Sequence, residues 1–179
     1  MSNYKRYFNN SVNPVFITFV TYKRRKILIQ NIDIFRNSLK YVKNKYKFEI
    51  IAITVMNNHC HVILFAKNQN EIPKIIRELK YNFSINVSKE FTCKELTESA
   101  VKRGEKGVWQ RRYYDHIIRD EEDLYRHIDY IHYNSVKHYG VAPKNWNYSS
   151  FKLFVKNNMY DIDWCNFEDK YKIKLLNYE

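Results

Sequence analysis

His59 and His61 flank Cys60 in the segment Asn58-His59-Cys60-His61-Val62. If that segment is an extended strand, side chains alternate across it, so both imidazoles share one face and Cys60 takes the other. Two imidazoles side by side make two legs of a metal site. The apolar run that follows, VILFA, anchors the strand and holds the pair rigidly. A second set lies later in the chain, where His127, Tyr130 and Asn134 are spaced to fall on one stripe of a helix. Asn134 can offer its amide oxygen as a third ligand, and Tyr130, one turn earlier, can direct its hydroxyl at whatever phosphate the metal holds. On spacing alone neither set is specific. A His-x-His pair is often surface decoration, and Tyr130 is one of sixteen tyrosines.

The elements that must position these groups follow from hydrophobic patterning. Val15 to Tyr22 (VFITFVTY) is β-branched and aromatic and reads as a buried strand, ended by the basic run Lys23-Arg24-Arg25-Lys26. Asn31 or Asp33 caps a helix to about Tyr46, with Ile34, Leu39 and Val42 inward. Phe48 to Met56 and His59 to Ala66 are strands joined at the turn signal Asn57-Asn58. A second helix spans Asn70 to about Phe91, with Pro73 in its first turn. Thr92 to Gly107 reads as a loop with a frayed helix end. Tyr113 to Arg119 is a fourth strand, and Asp120 caps an acid-started helix to about His138. Beyond Pro143 an aromatic, basic tail has room for one short helix around Phe151 to Lys156.

The order β-α-β-β-α-β with a further helix predicts an α+β fold of the ferredoxin-like (RRM-like) kind, an antiparallel sheet with helices on one face. The expected organisation is one catalytic unit over residues 1–142 and a tail, 143–179, packed on or near it. At 179 residues the chain can bury a core of its own.

The net charge is +12, from 31 Lys and Arg against 19 Asp and Glu, and 17% of residues are aromatic. That pairing of charge and flat rings points to nucleic acid, with unpaired bases stacked on aromatic faces. Lys23, Arg24 and Arg25, with Arg111, Arg112 and Arg119, are the candidates for tracking a phosphate backbone, and Trp109, Tyr113 and Tyr114 for stacking. His116 and His127 stand near the predicted site and are read as structural or supporting. Cys60, Cys93 and Cys165 are widely spaced, with no Cys-x-x-Cys pair, which argues against a disulfide framework or a cysteine zinc site. No apolar stretch is long enough to span a bilayer. The expectation is a soluble protein of the cytoplasm with no membrane partner.

The stretches VMNNHCHVILF and VWQRRYYDHIIRDEEDLYRHIDYIHYNSVKHYG resemble the REP-associated tyrosine transposases, a bacterial branch of the HUH single-tyrosine transposases. MSNYKRYF at the start, with NWNYSSF and DIDW in the tail, extends the likeness over nearly the whole chain. The resemblance implies that His59 and His61 bind Mg²⁺ or Mn²⁺, that Asn134 completes the metal site, and that Tyr130 of the Asp129-Tyr130-Ile131 segment is the nucleophile, on the helix after the fourth strand. It implies a single-stranded DNA endonuclease and strand transferase acting on hairpin DNA formed by REP-like palindromes, with a short flanking tetranucleotide, through a 5′-phosphotyrosine and a free 3′-OH. Whether it acts as monomer or homodimer is left open. Two departures stand out. Asn134 is followed by Ser135 where the family usually has proline, and Gly140 sits one residue later than the family's glycine. Both concern the end of the nucleophile helix.

Two other readings use the same features. An RRM-like domain that binds single strands without chemistry shares the topology and the aromatics, but has no use for His59, His61, Tyr130 and Asn134 together. A hydrolase using metal-activated water would keep the metal ligands and form no adduct with DNA.

Overall fold

The computed structural model describes residues 12–93 and 95–165; the opening MSNYKRYF lies outside them. Four strands form one antiparallel sheet in the order β2-β3-β1-β4: β1 is Val15–Val20, β2 Glu49–Val55, β3 His59–Phe65 and β4 Tyr114–Ile117. Among the described residues five α-helices accompany it: α1 Ile32–Lys45, α2 Ile72–Asn86, α3 Glu98–Lys102, α4 Glu121–Tyr139 and α5 Phe151–Lys156.

The two helices within the first six elements, α1 and α2, share one face of the sheet, and the further helix, α4, covers the other. Val15, Ile17 and Phe19 of β1, with Cys60, Val62 and Leu64 of β3, pack against Phe35 and Val42 of α1 and Ile75, Ile76, Leu79 and Phe83 of α2. The opposite face, with Phe16, Ala52, Ile63 and Phe65, receives Leu124, Ile128 and Ile131 of α4 and Phe154 of α5. Full burial of each such aliphatic side chain contributes about 1.5–3 kcal/mol. All seven residues of β3 are buried. A central strand covered on both faces loses its polar alternation, so His59 and His61 read as interior residues of the sheet.

Several boundaries shift for local reasons. β1 stops at Val20, since the chain turns through a short 3₁₀ segment, Tyr22–Arg24. In α1 the inward line is Phe35, Ser38 and Val42, with Ile34 and Leu39 flanking it, and Asn31 spends its side chain on the Ile27 carbonyl rather than on a cap. α2 ends at Asn86 rather than Phe91. The loop over 92–107 contains α3, whose Thr97 accepts from the Ala100 amide as a cap. α5 falls where the sequence places it. The tail also covers the β2 edge, where Val55 N donates to Tyr148 O and Ser150 N to Ile53 O; covering an edge removes a site for unwanted strand pairing. None of the three cysteines is disulfide-bonded, and among the described residues no helix is long and apolar enough to cross a membrane.

Candidate active site

Register sets the site. In the sheet His61 lies opposite Thr18 of β1 and Thr54 of β2, and His59 lies opposite Val20. Both imidazoles face α4, with ring centroids 4.8 Å apart, and both are buried. Each ring has its Nδ1 engaged: that of His59 meets Asn58 Oδ1 at 2.7 Å, and that of His61 meets Thr18 Oγ1 at 2.6 Å. An amide oxygen only accepts, so His59 carries its proton on Nδ1 and can present Nε2 as a lone pair. The Thr18 hydroxyl, which can donate or accept, fixes the orientation of the His61 ring.

The helix supplies the other half. Asp120 caps α4 by accepting from the Asp123 amide at 2.8 Å, and three acids fill the first turn, where the helix dipole favours negative charge. The Tyr130 ring lies 5.1 Å from that of His61, and Phe16 stacks between His61 and His127. Asn134 donates its Nδ2 to the Tyr130 carbonyl at 2.6 Å. Its Oδ1 and the Nε2 of His61 are both buried without a hydrogen-bond partner. Burial pushes His61 well below the usual imidazole range, helped by neighbouring His59, His138 and Lys137; only the nearby Asn134 amide pulls the other way, across a contact that lacks hydrogen-bond geometry. A buried neutral imidazole nitrogen and a buried amide oxygen facing one site are costly as they stand and fit a divalent cation. His138, one turn beyond Asn134, brings a third imidazole to 5.0 Å from His59; the sequence reading missed it.

Sequence reasoning places the stripe at the edge of the buried face. In the structure His127, Tyr130 and Asn134 are inside it, each at most 1% exposed. The open side lies at His59, in a cavity of about 200 Å³ lined by Thr18, Arg24, His59, Gln110, Arg112 and Tyr114 among others. Lys23 and Arg24 turn the chain there with left-handed φ of 51° each, a conformation rare for such side chains, and Asn58 Nδ2 donates to the Arg24 carbonyl. The turn before the His pair and the turn after β1 are thus tied together.

The basic set divides. Arg24 and Arg112 line the cavity beside His59. Arg111 lines a second cavity next to it. Lys23 pairs with Glu95 at 3.1 Å, and Arg119 reaches Asp123 at 3.4 Å. Arg25 is partly buried and donates to the carbonyls of Phe91 and Gly107, so it staples the 91–107 segment to β1.

His116, Asp123 and His127 form a separate group with ligand-type atoms within 4.8 Å of one another. Asp123 accepts from His116 Nε2 at 2.8 Å and from the Arg119 amide at 3.0 Å, and lies 3.1 Å from His127 Nδ1. Burial pushes the Asp123 carboxyl up, but the bonds from His116 and the Arg119 amide outweigh it and hold it below the usual range. His127 Nδ1 also meets its own helix carbonyl, Asp123 O, at 2.7 Å, which commits that nitrogen as a donor. This bonding reads as a brace joining β4 to α4 rather than as metal ligation. The departures after Asn134 are accommodated without breaking the helix: Gly140 takes the left-handed cap at φ 65°, and the Val141 amide bonds back to Ser135 O.

Residues 12–134 match the family model described as transposase, IS200-like. A Haemophilus influenzae protein assigned to the REP-associated tyrosine transposases is 39% identical over 92% of this chain and 93% of its own length. The REP-associated tyrosine transposase of Escherichia coli is 30% identical over 92% of both. The solved structure of a REP-associated tyrosine transposase bound to a REP hairpin superposes with a TM-score of 0.69 at 29% identity, covering 93% of this chain and 92% of that one. With the family model spanning most of the chain and a relative this similar end to end, the chain belongs to the IS200-like transposase family, in its REP-associated tyrosine transposase branch.

Proposed function

We propose that this chain nicks and rejoins single-stranded DNA at hairpin-forming, REP-like palindromes, with Tyr130 as nucleophile and His59, His61 and Asn134 as ligands of Mg²⁺ or Mn²⁺. What carries the reading is the meeting of β3 and α4: the two imidazoles, the Tyr130 ring and the Asn134 amide gather in one buried cluster in a member of a DNA-transposase family. The solved relative bound to a REP hairpin supports the choice of substrate. The strand order β2-β3-β1-β4 supports a ferredoxin-like topology, with α4 added on the second face. We take residues 1–142 as the catalytic unit.

When bound, a divalent cation would polarise the scissile phosphate as a Lewis acid, since a phenol of pKa near 10 is a weak nucleophile at neutral pH. The rest falls to the chain. Thr18 and Asn58 fix the ring orientation of the two histidines. Arg24 and Arg112 hold the backbone at the cavity mouth. The Tyr130 oxygen attacks phosphorus, the P–O3′ bond breaks, and the 3′ oxygen leaves as a hydroxyl carrying the displaced proton. The phosphotyrosine ester conserves the bond energy for rejoining without ATP.

The test is incubation with hairpin DNA and Mn²⁺, followed by denaturing electrophoresis. A protein–DNA adduct that maps to Tyr130 is expected. Cleavage with no adduct would instead indicate activated water.

A further inference from the structure

We propose that Tyr139, backed by Trp146 of the tail, is a positioning residue for the metal site, pinning the hairpin turn that orients His59 to the helix that carries Tyr130 and Asn134. The inference rests on the metal reading above and names what sets the spacing between the two halves of that site. Those halves come from different elements: β3 brings His59 and His61, and α4 brings Tyr130 and Asn134. A misplacement of about 1 Å between groups that must act together can cost roughly a hundredfold in rate, so the join between the halves needs a fixed point.

Tyr139 supplies it. The left-handed cap falls at Gly140, which leaves Tyr139 as the last residue of α4. Its phenol oxygen accepts from the Asn57 amide at 3.2 Å, and the next residue, Asn58, places its Oδ1 2.7 Å from His59 Nδ1. On the inner side the same turn is held by the amides of Leu28 and Thr21, which donate to the carbonyls of Asn57 and Asn58 at 2.9 and 2.8 Å. The turn is thus fixed to β1 from one side and to α4 from the other. Tyr139 is itself partly exposed and would be loose without support. Trp146 gives that support: the two rings stack with centroids 5.1 Å apart at 26°. Trp146 is anchored in turn, since its Nε1 donates to Val55 O at 3.3 Å and Tyr148 packs on its ring at 5.1 Å. Because Val55 ends the strand that leads into the turn, tail, hairpin and helix meet at one place. Trp146 lies beyond residue 142, so the tail serves the site from outside the catalytic unit.

The experiment measures the Kd for Mn²⁺ on the full chain without DNA, from the loss of the paramagnetic resonance signal of the free ion, with thermal melts of the metal-free proteins alongside. Tyr139→Phe removes one oxygen and keeps the stacked ring. Its Kd should rise about fivefold, the scale of one lost hydrogen bond, while the metal-free melt stays near that of wild type. Trp146→Ala should raise the Kd in the same direction, and Trp146→Phe, which keeps a ring against Tyr139, should restore most of the loss. The decisive arm is a double-mutant cycle with Asn58→Ala, which removes the acceptor for His59 Nδ1. In that background Tyr139→Phe should add little, because its effect reaches the ion through the same turn. An unchanged Kd in Tyr139→Phe, or an effect fully additive with Asn58→Ala, overturns the positioning role. His59→Ala separates this from the underlying reading. If His59→Ala abolishes Mn²⁺ binding and Tyr139→Phe does nothing, only the positioning role falls; if Mn²⁺ binding survives His59→Ala, the metal assignment falls and the positioning role with it.

Discussion

Asn134 donates its amide nitrogen to the carbonyl of Tyr130 one turn earlier, at 2.6 Å, and that bond turns its oxygen toward the face where His61 sits. The same short stretch of α4 therefore carries the proposed nucleophile and the proposed third ligand. Tyr130→Phe keeps the ring, its contacts with Phe16 and His61, and the backbone carbonyl that Asn134 uses. Thermal stability and hairpin binding should stay near wild type, and the adduct should fall below detection. Tyr125 is 40% exposed on the outer side of the helix, and Tyr125→Phe should leave the adduct intact. Mass mapping of the modified peptide decides the matter: an adduct on Tyr125 or Tyr133 would refute the assignment.

Thr18→Val tests the support of the metal site with little change of shape. The substitution removes the oxygen 2.6 Å from His61 Nδ1 and nothing that would touch the cation. Groups that orient a ligand in this way typically contribute 10–100-fold in metal affinity. The Mn²⁺ concentration for half-maximal adduct formation should rise by about that factor, with the yield restored at saturating Mn²⁺. Asn134→Ala should not be restored. An unchanged Mn²⁺ dependence in Thr18→Val would show that Thr18 does not position His61 for the cation.

How much of this was legible beforehand depends on what each inference required. Strand alternation puts His59 and His61 on one face, and helical spacing puts Tyr130 and Asn134 on one stripe, so both halves of the cluster follow from local periodicity. Their partners do not. Thr18 reads as one more β-former in VFITFVTY until the register sets it against His61, and Asn58 reads as a turn residue rather than as an acceptor for His59. The second covered face was hidden because β3 is buried throughout, and a strand without alternation does not announce how many layers cover it. α3 was missed because ESAVK is a single short turn of helix whose cap, Thr97, sits in a polar, charged run. Arg25 illustrates a different limit: a basic run gives charge, but only the fold shows which member turns inward.

That division of the arginines predicts different losses. Arg24→Ala and Arg112→Ala should each lower the slope of log affinity against log salt by about 0.7–0.9, the value of one phosphate contact, with folding unchanged. Arg25→Ala should leave the slope alone and destabilise the protein by on the order of 1–3 kcal/mol, because the Phe91 and Gly107 carbonyls lose their donor. Salt titrations of hairpin binding and thermal melts separate the two effects. Equal slopes for all three variants would remove Arg24 and Arg112 from the DNA contact.

Part of the acid sensitivity should come from His132, on the side of α4 that faces the tail, alongside the buried His61 and His127. Its Nε2 meets Ser150 Oγ at 2.8 Å, and Phe154 and Tyr160 close round the ring. Nδ1 is buried with no partner, so an N–H formed there would find no acceptor, and burial pulls the group from 6.5 down to about 3. Between these values the unfolded chain binds a proton that the folded chain refuses, so stability falls as pH drops below 6.5 and the decline ends near 3. Over the full window the loss is bounded at roughly 4–5 kcal/mol, taking 1.36 kcal/mol per pKa unit. Asp123 acts in a different window. Its carboxyl is held below the ordinary 3.8, so its stabilisation is present above that value and is lost only as pH falls through its lower folded value. Chemical denaturation from pH 7 to pH 4.5 therefore reports on the buried imidazoles together, through its slope in that range, since burial lowers His61 and His127 as well as His132. His132→Asn, which retains a donor toward Ser150 and has no titration there, should reduce that slope by the share His132 contributes, leaving the share of His61 and His127, even if its stability at pH 7 is lower. A slope unchanged by the substitution would show that His132 is not a source of the acid response.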